Sequence, residues 1–377
     1  MTSEIGDETN VRERQMKLQE IRVHRARLPL VKPYRVSFKV YTEFEPIIVE
    51  ARDEDGSIGW GEAHIPTGSS FETADSGWRF CCERAPHLLG NSLSVAKELL
   101  GETMRLAPNA TTAVMTAIEM LERPQVLQVS TETRVPLLKV VASTDQDDIK
   151  DEVEDHIAEG YKTLKVKVGW DVEKDLARVE MIRRFAAGRA QLSLDANRAF
   201  SREEGCRFAG ALNPEGVKLM EQPCAANDWE GNAAVASVST VPLMLDESIT
   251  SVADIERAAT IPNVRYVKMK LKRVGGIVRA QAALAKAREL GLAACFGDGV
   301  ASEIGCWMEA CIARGMVDTA GEMNGFLKPR VRLFANPLQC ERGAIALSPG
   351  FWPEINREVL TAHSIASERF APTQVAC

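Results

Sequence analysis

The chain has 377 residues, 45% hydrophobic and 26% charged, which is the make-up of a globular protein and not of a disordered, collagenous or coiled-coil one. Lys and Arg number 46 against 53 Asp and Glu, and the formal charge of −7 speaks against nucleic acid or an anionic membrane as partner. No apolar run reaches the ~18 residues of a membrane span, and nine scattered cysteines without metal-site spacing read as reduced, buried thiols of a cytoplasmic protein.

Residues 1–16 are polar, lack the apolar core of a secretory signal and read as a flexible tail. The segments "LQEIRVHRARLPL", "YRVSFKV" and "FEPIIVEARDEDGSIGWGEA" alternate apolar and polar residues, and Asp55-Gly56 is a hairpin turn signal. Residues 72–125 turn helical, with "TTAVMTAIEML" carrying small and apolar residues at helical spacing. Together they make an α+β unit over 17–133. From 134 to 340 short apolar strands alternate with helices expected at 147–160, 171–187, 201–211, 228–238, 251–260, 276–290 and 302–314. A last short strand lies near "MVDTAGEMN". Some eight such steps predict an α/β fold of parallel strands with right-handed crossovers, closed into a (β/α)₈-type barrel. No GxGxxG follows the first strand and no GxxxxGK[ST] occurs, so an open nucleotide-binding sheet has little support.

Five polar residues stand at the ends of successive predicted strands: Lys167 (with Lys165), Asp195, Glu221, Asp246 and Lys270 (with Lys268). The gaps of 28, 26, 25 and 24 residues each equal one strand plus one helix. In a parallel barrel that period brings all five to the rim where barrel active sites are built. Three acids without histidine or cysteine neighbours offer only oxygen ligands, which suit a hard divalent cation, Mg²⁺ first and Mn²⁺ next. Lysines two apart on a strand point to one face. If the barrel closes, the two pairs flank the acids from opposite sides.

Such a site suits removal of a proton next to a carboxylate, because a divalent cation stabilises the enediolate charge. A lysine base starts near pKa ~10.4 and works best near ~7–8, and a neighbouring ammonium lowers it by like-charge repulsion. The plainer alternative, lysines bridging acids as rim ion pairs, accounts for any one of these residues more easily than for five in register.

The segments "TLKVKVG", "LDAN", "EQP", "LDES" and "VKMKLKRVGGI", with "GWGEA" upstream, resemble the enolase superfamily, in its muconate-lactonizing subgroup within the mandelate racemase and muconate-lactonizing family. The pattern is most similar to dipeptide epimerases. The resemblance implies a (β/α)₇β-type barrel with an N-terminal α+β capping domain, and a C-terminal segment, 341–377, returning to that domain. It implies Asp195, Glu221 and Asp246 as Mg²⁺ ligands, Lys167 and Lys270 as opposed acid/bases, and Lys165 as the neighbour of Lys167. It also implies assembly into a homo-oligomer. The histidine that mandelate racemases use late in the barrel has no counterpart, since the five histidines are His24, His64, His87, His156 and His363. Dipeptide epimerases carry Asp-x-Asp near the last strand to hold an ammonium, where this chain reads Glu322-Met323-Asn324.

The expected activity is thus a racemase or epimerase acting at the α-carbon of a small carboxylate, an amino-acid derivative or dipeptide. A cycloisomerase or dehydratase using the same half-reaction is the alternative, and a non-catalytic binding barrel the third reading. Lys268, Asp298, Glu322 and Asn324 are candidate substrate contacts. Asp298, between two glycines, otherwise serves as a cap for the helix that follows it. Residues 67–71 could act as a lid, Trp229 and Trp307 read as packing, and Glu62 and His64 carry no assigned chemistry.

Overall fold

The computed structural model describes residues 16–36, 39–65 and 71–372; residues 1–15 of the expected tail lie outside them, as do residues 67–70 of the expected lid at 67–71. In chain order the elements are β1 (Leu18–Ala26), β2 (Leu28–Val36), β3 (Lys39–Phe44), β4 (Pro46–Asp53), β5 (Ile58–His64), α1 (Ala74–Leu88), α2 (Leu93–Gly101), α3 (Pro108–Leu121), β6 (Thr133–Pro136) and β7 (Lys139–Val141). There follow α4 (Gln146–Ala158), β8 (Thr163–Lys167), α5 (Val172–Ala186), β9 (Gln191–Asp195), α6 (Arg202–Ala211), β10 (Val217–Glu221), α7 (Trp229–Val238), β11 (Leu243–Leu245), α8 (Val252–Ala259) and β12 (Val264–Met269). The chain continues with α9 (Leu271–Val274), α10 (Ile277–Glu289), β13 (Ala293–Phe296), α11 (Glu303–Ala313), β14 (Gln339–Glu341), β15 (Ala344–Leu347), α12 (Arg357–His363) and β16 (Ser364–Phe370).

Seven parallel strands, β7 to β13, hydrogen-bond in sequence order. The eighth place is taken by an irregular segment. The Glu322 amide donates to the Phe296 carbonyl (2.8 Å), the Gly321 amide to the Pro136 carbonyl and the Leu138 amide to the Gly321 carbonyl (both 2.9 Å). These bonds close the curled sheet at its seam. The fold is therefore the expected α/β barrel of (β/α)₇β type with a strand-rich N-terminal domain. The predicted strand "VPLLKVVAS" is divided, because its first part, β6, pairs antiparallel with β15 outside the barrel.

The N-terminal sheet runs β16-β1-β4-β5, so the C-terminal strand completes it. Its face packs on α3. The glycines of "GWGEA" explain how closely: a Cβ on Gly59 or Gly61 would overlap the backbone carbonyls of Ala117 and Ala113. The small residues of α3 permit that approach, and this helix in turn touches the barrel. Glu119 accepts from the amides of Ile277 (2.6 Å) and Val278 (3.2 Å), capping α10 from outside it, and the Thr112 hydroxyl donates to the Lys272 carbonyl (2.9 Å). Glu62 likewise accepts from the Ser302 amide at 2.6 Å and from its hydroxyl. Burial pushes both Glu62 and Glu119 up to about 7. The loop after Lys270 is thus fixed by α3 of the N-terminal domain as well as by its own strand.

Among the described residues no helix is long and apolar enough to cross a membrane. The eight described cysteines are free, five of them buried.

Candidate active site

The barrel strands are apolar along their length and end in charge. Ladder register sets Lys167 against Asp195, and Asp195 against Glu221, at the same level of adjacent strands. Asp246 lies two residues beyond the Glu221–Met244 rung. Gln222 fixes this offset: its carbonyl oxygen accepts from the amides of Asp246 (2.9 Å) and Ser248 (3.1 Å), and its amide donates to the Ser248 hydroxyl (2.8 Å) and the Cys224 carbonyl (3.1 Å). Replacing Gln222 by leucine strands two buried amides, at ~1–3 kcal/mol each. Chemical denaturation should show a loss of several kcal/mol, and an unchanged midpoint would refute the clamp.

Lys165 and Lys167 share a face, since both amines reach Asp195 Oδ2, at 2.8 and 2.6 Å. Lys167 also donates to Asn197 Oδ1 (2.6 Å). Lys165 further touches Glu221 Oε2 and Glu322 Oε2, both at 2.9 Å. On the other side Lys268 meets Glu221 (3.4 Å) and Glu322, and Lys270 meets Asp246 Oδ2 at 2.8 Å. The pairs differ in access. The side chains of Lys165 and Lys268 are 1% exposed, those of Lys167 and Lys270 18% and 15%. All four line one cavity of about 770 Å³ together with Asp195, Asp246, Asp298 and Glu322. Glu221 lies beneath, fully buried.

Burial opposes the charge on Lys165, but Asp195, Glu221 and Glu322 hold its amine well above the ordinary value. Lys268 is raised in the same way by Glu221 and Glu322. Asp195 is kept below its ordinary range, against burial, by Lys165 and Lys167, and Asp246 well below by Lys270 and Arg273. Glu221 goes the other way. Burial, then the negative charge of Asp195, and with it Asp246, outweigh the lysines and push it up to about 7. One of its oxygens accepts no hydrogen bond, although the Lys165 ammonium stands beside it. Carboxylates crowded in this way, with oxygen donors alone, fit a hard divalent cation. As they stand, the described residues form no ready-made cluster of three metal-holding groups, because lysine amines are interleaved with the acids.

Asp298 is paired with Lys272, and burial notwithstanding that amine lowers it to about 2. It does not cap the following helix: Ser302 does, its hydroxyl accepting from the Ile304 amide. Asn324 donates to the Leu138 carbonyl and accepts from Lys328, both at 2.9 Å. Trp307 is buried against Trp352, with ring centroids 5.4 Å apart, and Trp229 stacks under Arg257 at 4.4 Å, so both pack.

Four positioning residues escaped the strand-period argument. Arg273 donates to Asp246 Oδ1 (2.9 Å) and to its carbonyl (2.6 Å). Arg178 of α5 gathers the carbonyls of Val141, Ser143 and Lys167 at about 3 Å, tying β7 to β8. Asn197 and Gln222 hold left-handed backbone, φ 44° and 36°, a strained setting that the surrounding bonds maintain. Asn197 and Gln222 sit inside the quoted motifs "LDAN" and "EQP"; Arg178, on a surface-patterned helix, left no comparable mark.

The sequence profile of the family described as "Enolase C-terminal domain-like" matches residues 148–358, more than half of the chain. An N-succinyl-L-Arg/Lys racemase of Bacillus cereus is 27% identical over 316 residues, covering 79% of this chain and 82% of that one. An L-Ala-D/L-Glu epimerase of Bacillus subtilis is 27% identical over 309 residues, covering 77% and 83%. In fold, the muconate lactonizing enzyme of Pseudomonas fluorescens superposes with a TM-score of 0.84 at 22% identity, covering 93% of this chain and 99% of that one. The chain belongs to the enolase superfamily and is an enzyme of its mandelate racemase and muconate-lactonizing group, whose relatives by sequence named above are isomerases.

Proposed function

We propose that this protein is a Mg²⁺-dependent racemase or epimerase that removes and returns the proton α to a carboxylate, on an amino-acid derivative or small peptide. The observation that carries the reading is the pair of partly accessible amines, Lys167 and Lys270, facing one cavity from β8 and the end of β12, with three acid-bearing strands between them. One amine takes the proton from one face of the α-carbon and the other returns a proton from the opposite face. Lys165 and Lys268, buried and held charged, supply fixed positive charge at the cavity floor, where negative charge grows on the substrate carboxylate. Asp195, Glu221 and Asp246 would hold the cation. When bound, Mg²⁺ would supply Lewis-acid stabilisation of the charge that develops on the substrate carboxylate; Asp195 and Asp246 now pair with Lys167 and Lys270.

A cycloisomerase or dehydratase needs only one of the lysines as base, so the same site serves it as the second reading. Incubation of enantiopure acids with Mg²⁺ in D₂O separates the two. A racemase exchanges the α-hydrogen and loses optical rotation without a new double bond, whereas appearance of an alkene or release of water would sink the racemase assignment.

A further inference from the structure

The two amines proposed as acid/bases are held in place by different parts of the chain. Lys167 is gripped from within the barrel. Its carbonyl accepts from Nη1 of Arg178 at 2.9 Å, and the same guanidinium donates to the carbonyls of Val141 (2.9 Å) and Ser143 (3.1 Å). One turn earlier on α5, Asp175 Oδ2 accepts from the amides of Gly169, Trp170 and Asp171 at 2.7, 3.0 and 3.3 Å. Glu152 of α4 accepts from the amides of Ala142 (3.0 Å) and Ser143 (2.9 Å). Every one of these groups belongs to the barrel, and together they hold the chain directly after Lys167.

Lys270 is held differently. It is followed at once by the single turn α9, in which the amides of Arg273 and Val274 donate to the Lys270 carbonyl at 2.9 and 3.2 Å, so a shift of the turn moves the amine-bearing residue. The Thr112 hydroxyl of α3 donates to the Lys272 carbonyl (2.9 Å) in that turn. Glu119 of the same helix accepts from the amides of Ile277 and Val278 just after it. The approach is close: a Cβ on Gly276 would come within 2.8 Å of the Glu119 carboxylate and of Met115. Lys272 Nζ adds a bond to the His64 carbonyl, at the end of β5, at 2.9 Å. From the barrel side the Leu271 amide donates to Glu309 (3.1 Å) and Arg273 reaches Asp246. The N-terminal domain therefore supplies the contacts at Lys272, Ile277 and Val278, on the far side of the turn.

We propose that the two acid/bases are positioned independently: Arg178 and Asp175 set Lys167 from within the barrel, and Thr112 and Glu119 of the N-terminal domain set Lys270. The proposal rests on the racemase reading and deepens it, since the N-terminal domain then governs proton transfer at one face of the α-carbon and not at the other. None of the four side chains lines the cavity, so each acts through the backbone that carries the lysine and not on the substrate. Proton transfer tolerates little displacement, and a misplacement of ~1 Å can cost about a hundredfold in rate.

The test uses the full chain with Mg²⁺ in D₂O, on N-acetyl amino acids and alanyl dipeptides supplied as each hand at the reacting α-carbon. α-Hydrogen exchange is followed by NMR. Lys167→Ala and Lys270→Ala first identify which hand each amine serves. Arg178→Gln should then slow exchange of the Lys167 hand by about tenfold or more and leave the Lys270 hand within about twofold. The double variant Thr112→Val, Glu119→Gln should do the reverse. The ratio between the hands is the readout that a general loss of stability does not move, because an unfolded fraction lowers both hands alike. Where either of these variants does not fold, Asp175→Asn and Thr112→Val, taken singly, should shift the same ratios by about threefold. A ratio that stays at the parent's value, or shifts the opposite way, would overturn independent positioning while the racemase reading stands. A parent protein that exchanges neither hand of any compound would remove both.

Discussion

Replacing Lys270 by alanine is expected to abolish interconversion of two enantiomers while leaving α-hydrogen exchange of one of them, and Lys167→Ala should leave exchange of the other. A general base contributes about 10²–10⁴ in rate, so each racemisation rate should fall by at least a hundredfold. The reason is positional. Three strands separate the two lysines, and each ends in an acid that pairs with this constellation. In the proposed mechanism a substrate carboxylate held over those acids would present its α-carbon between the amines. With one amine gone, the other still removes the proton on its own side and returns solvent deuterium to that side, which exchanges without inverting. Arginine variants sharpen the test. Lys167→Arg keeps a cation beside Asp195 but provides a group that does not deprotonate, so it should be as inactive as the alanine variant. Recovery of activity with arginine would mean that Lys167 acts only as an ion-pair partner.

Chelation of divalent metal is the second large effect. Stripped protein should lose at least about a thousandfold in activity and regain it with Mg²⁺, since loss of even one charge-stabilising donor commonly costs ~10²–10³. A readout independent of turnover follows from linkage. At a hundredfold excess over its dissociation constant, a cation binding only the folded state stabilises it by about 2.7 kcal/mol. Melting temperature should therefore rise with Mg²⁺. In Glu221→Gln, which removes the innermost carboxylate charge, the rise should vanish, because a neutral amide oxygen is a weaker ligand for a hard cation. If the parent protein melts at one temperature with and without Mg²⁺, Asp195, Glu221 and Asp246 do not hold it.

Much of the barrel was legible because its code is local. Each strand is a short apolar run, each helix a 3.6-period segment, and the strand-end charges recur at the βα repeat. Asp195, Glu221 and Lys167 accordingly lie where the spacing placed them, and the helix expected at 228–238 is Trp229–Val238. The eighth strand was harder, because Gly321 and Glu322 close the seam by isolated hydrogen bonds with no periodic pattern. Contacts across great sequence separations left no trace either. Glu119 caps a helix some 158 residues away and Glu62 grips Ser302 at a separation of 240. The same holds for Asp298, where a carboxylate near a helix start suggested a cap, but Lys272 claims it and Ser302 caps instead. The like-charge argument for the paired lysines needed geometry too. Lys165 and Lys268 are buried ammoniums enclosed by acids at the cavity floor, and of the four lysines Lys167 and Lys270 are the partly exposed ones.

The most direct measurement follows one enantiomer of an exchanging acid with the parent protein and Mg²⁺ in D₂O, resolving both enantiomers early in the reaction. Opposed amines predict that the newly formed enantiomer carries deuterium at the α-carbon from the first turnovers, while both hands exchange at comparable rates. Formation of the inverted product with its original hydrogen retained, or exchange confined to a single hand with no inversion, would contradict an active site built on Lys167 and Lys270.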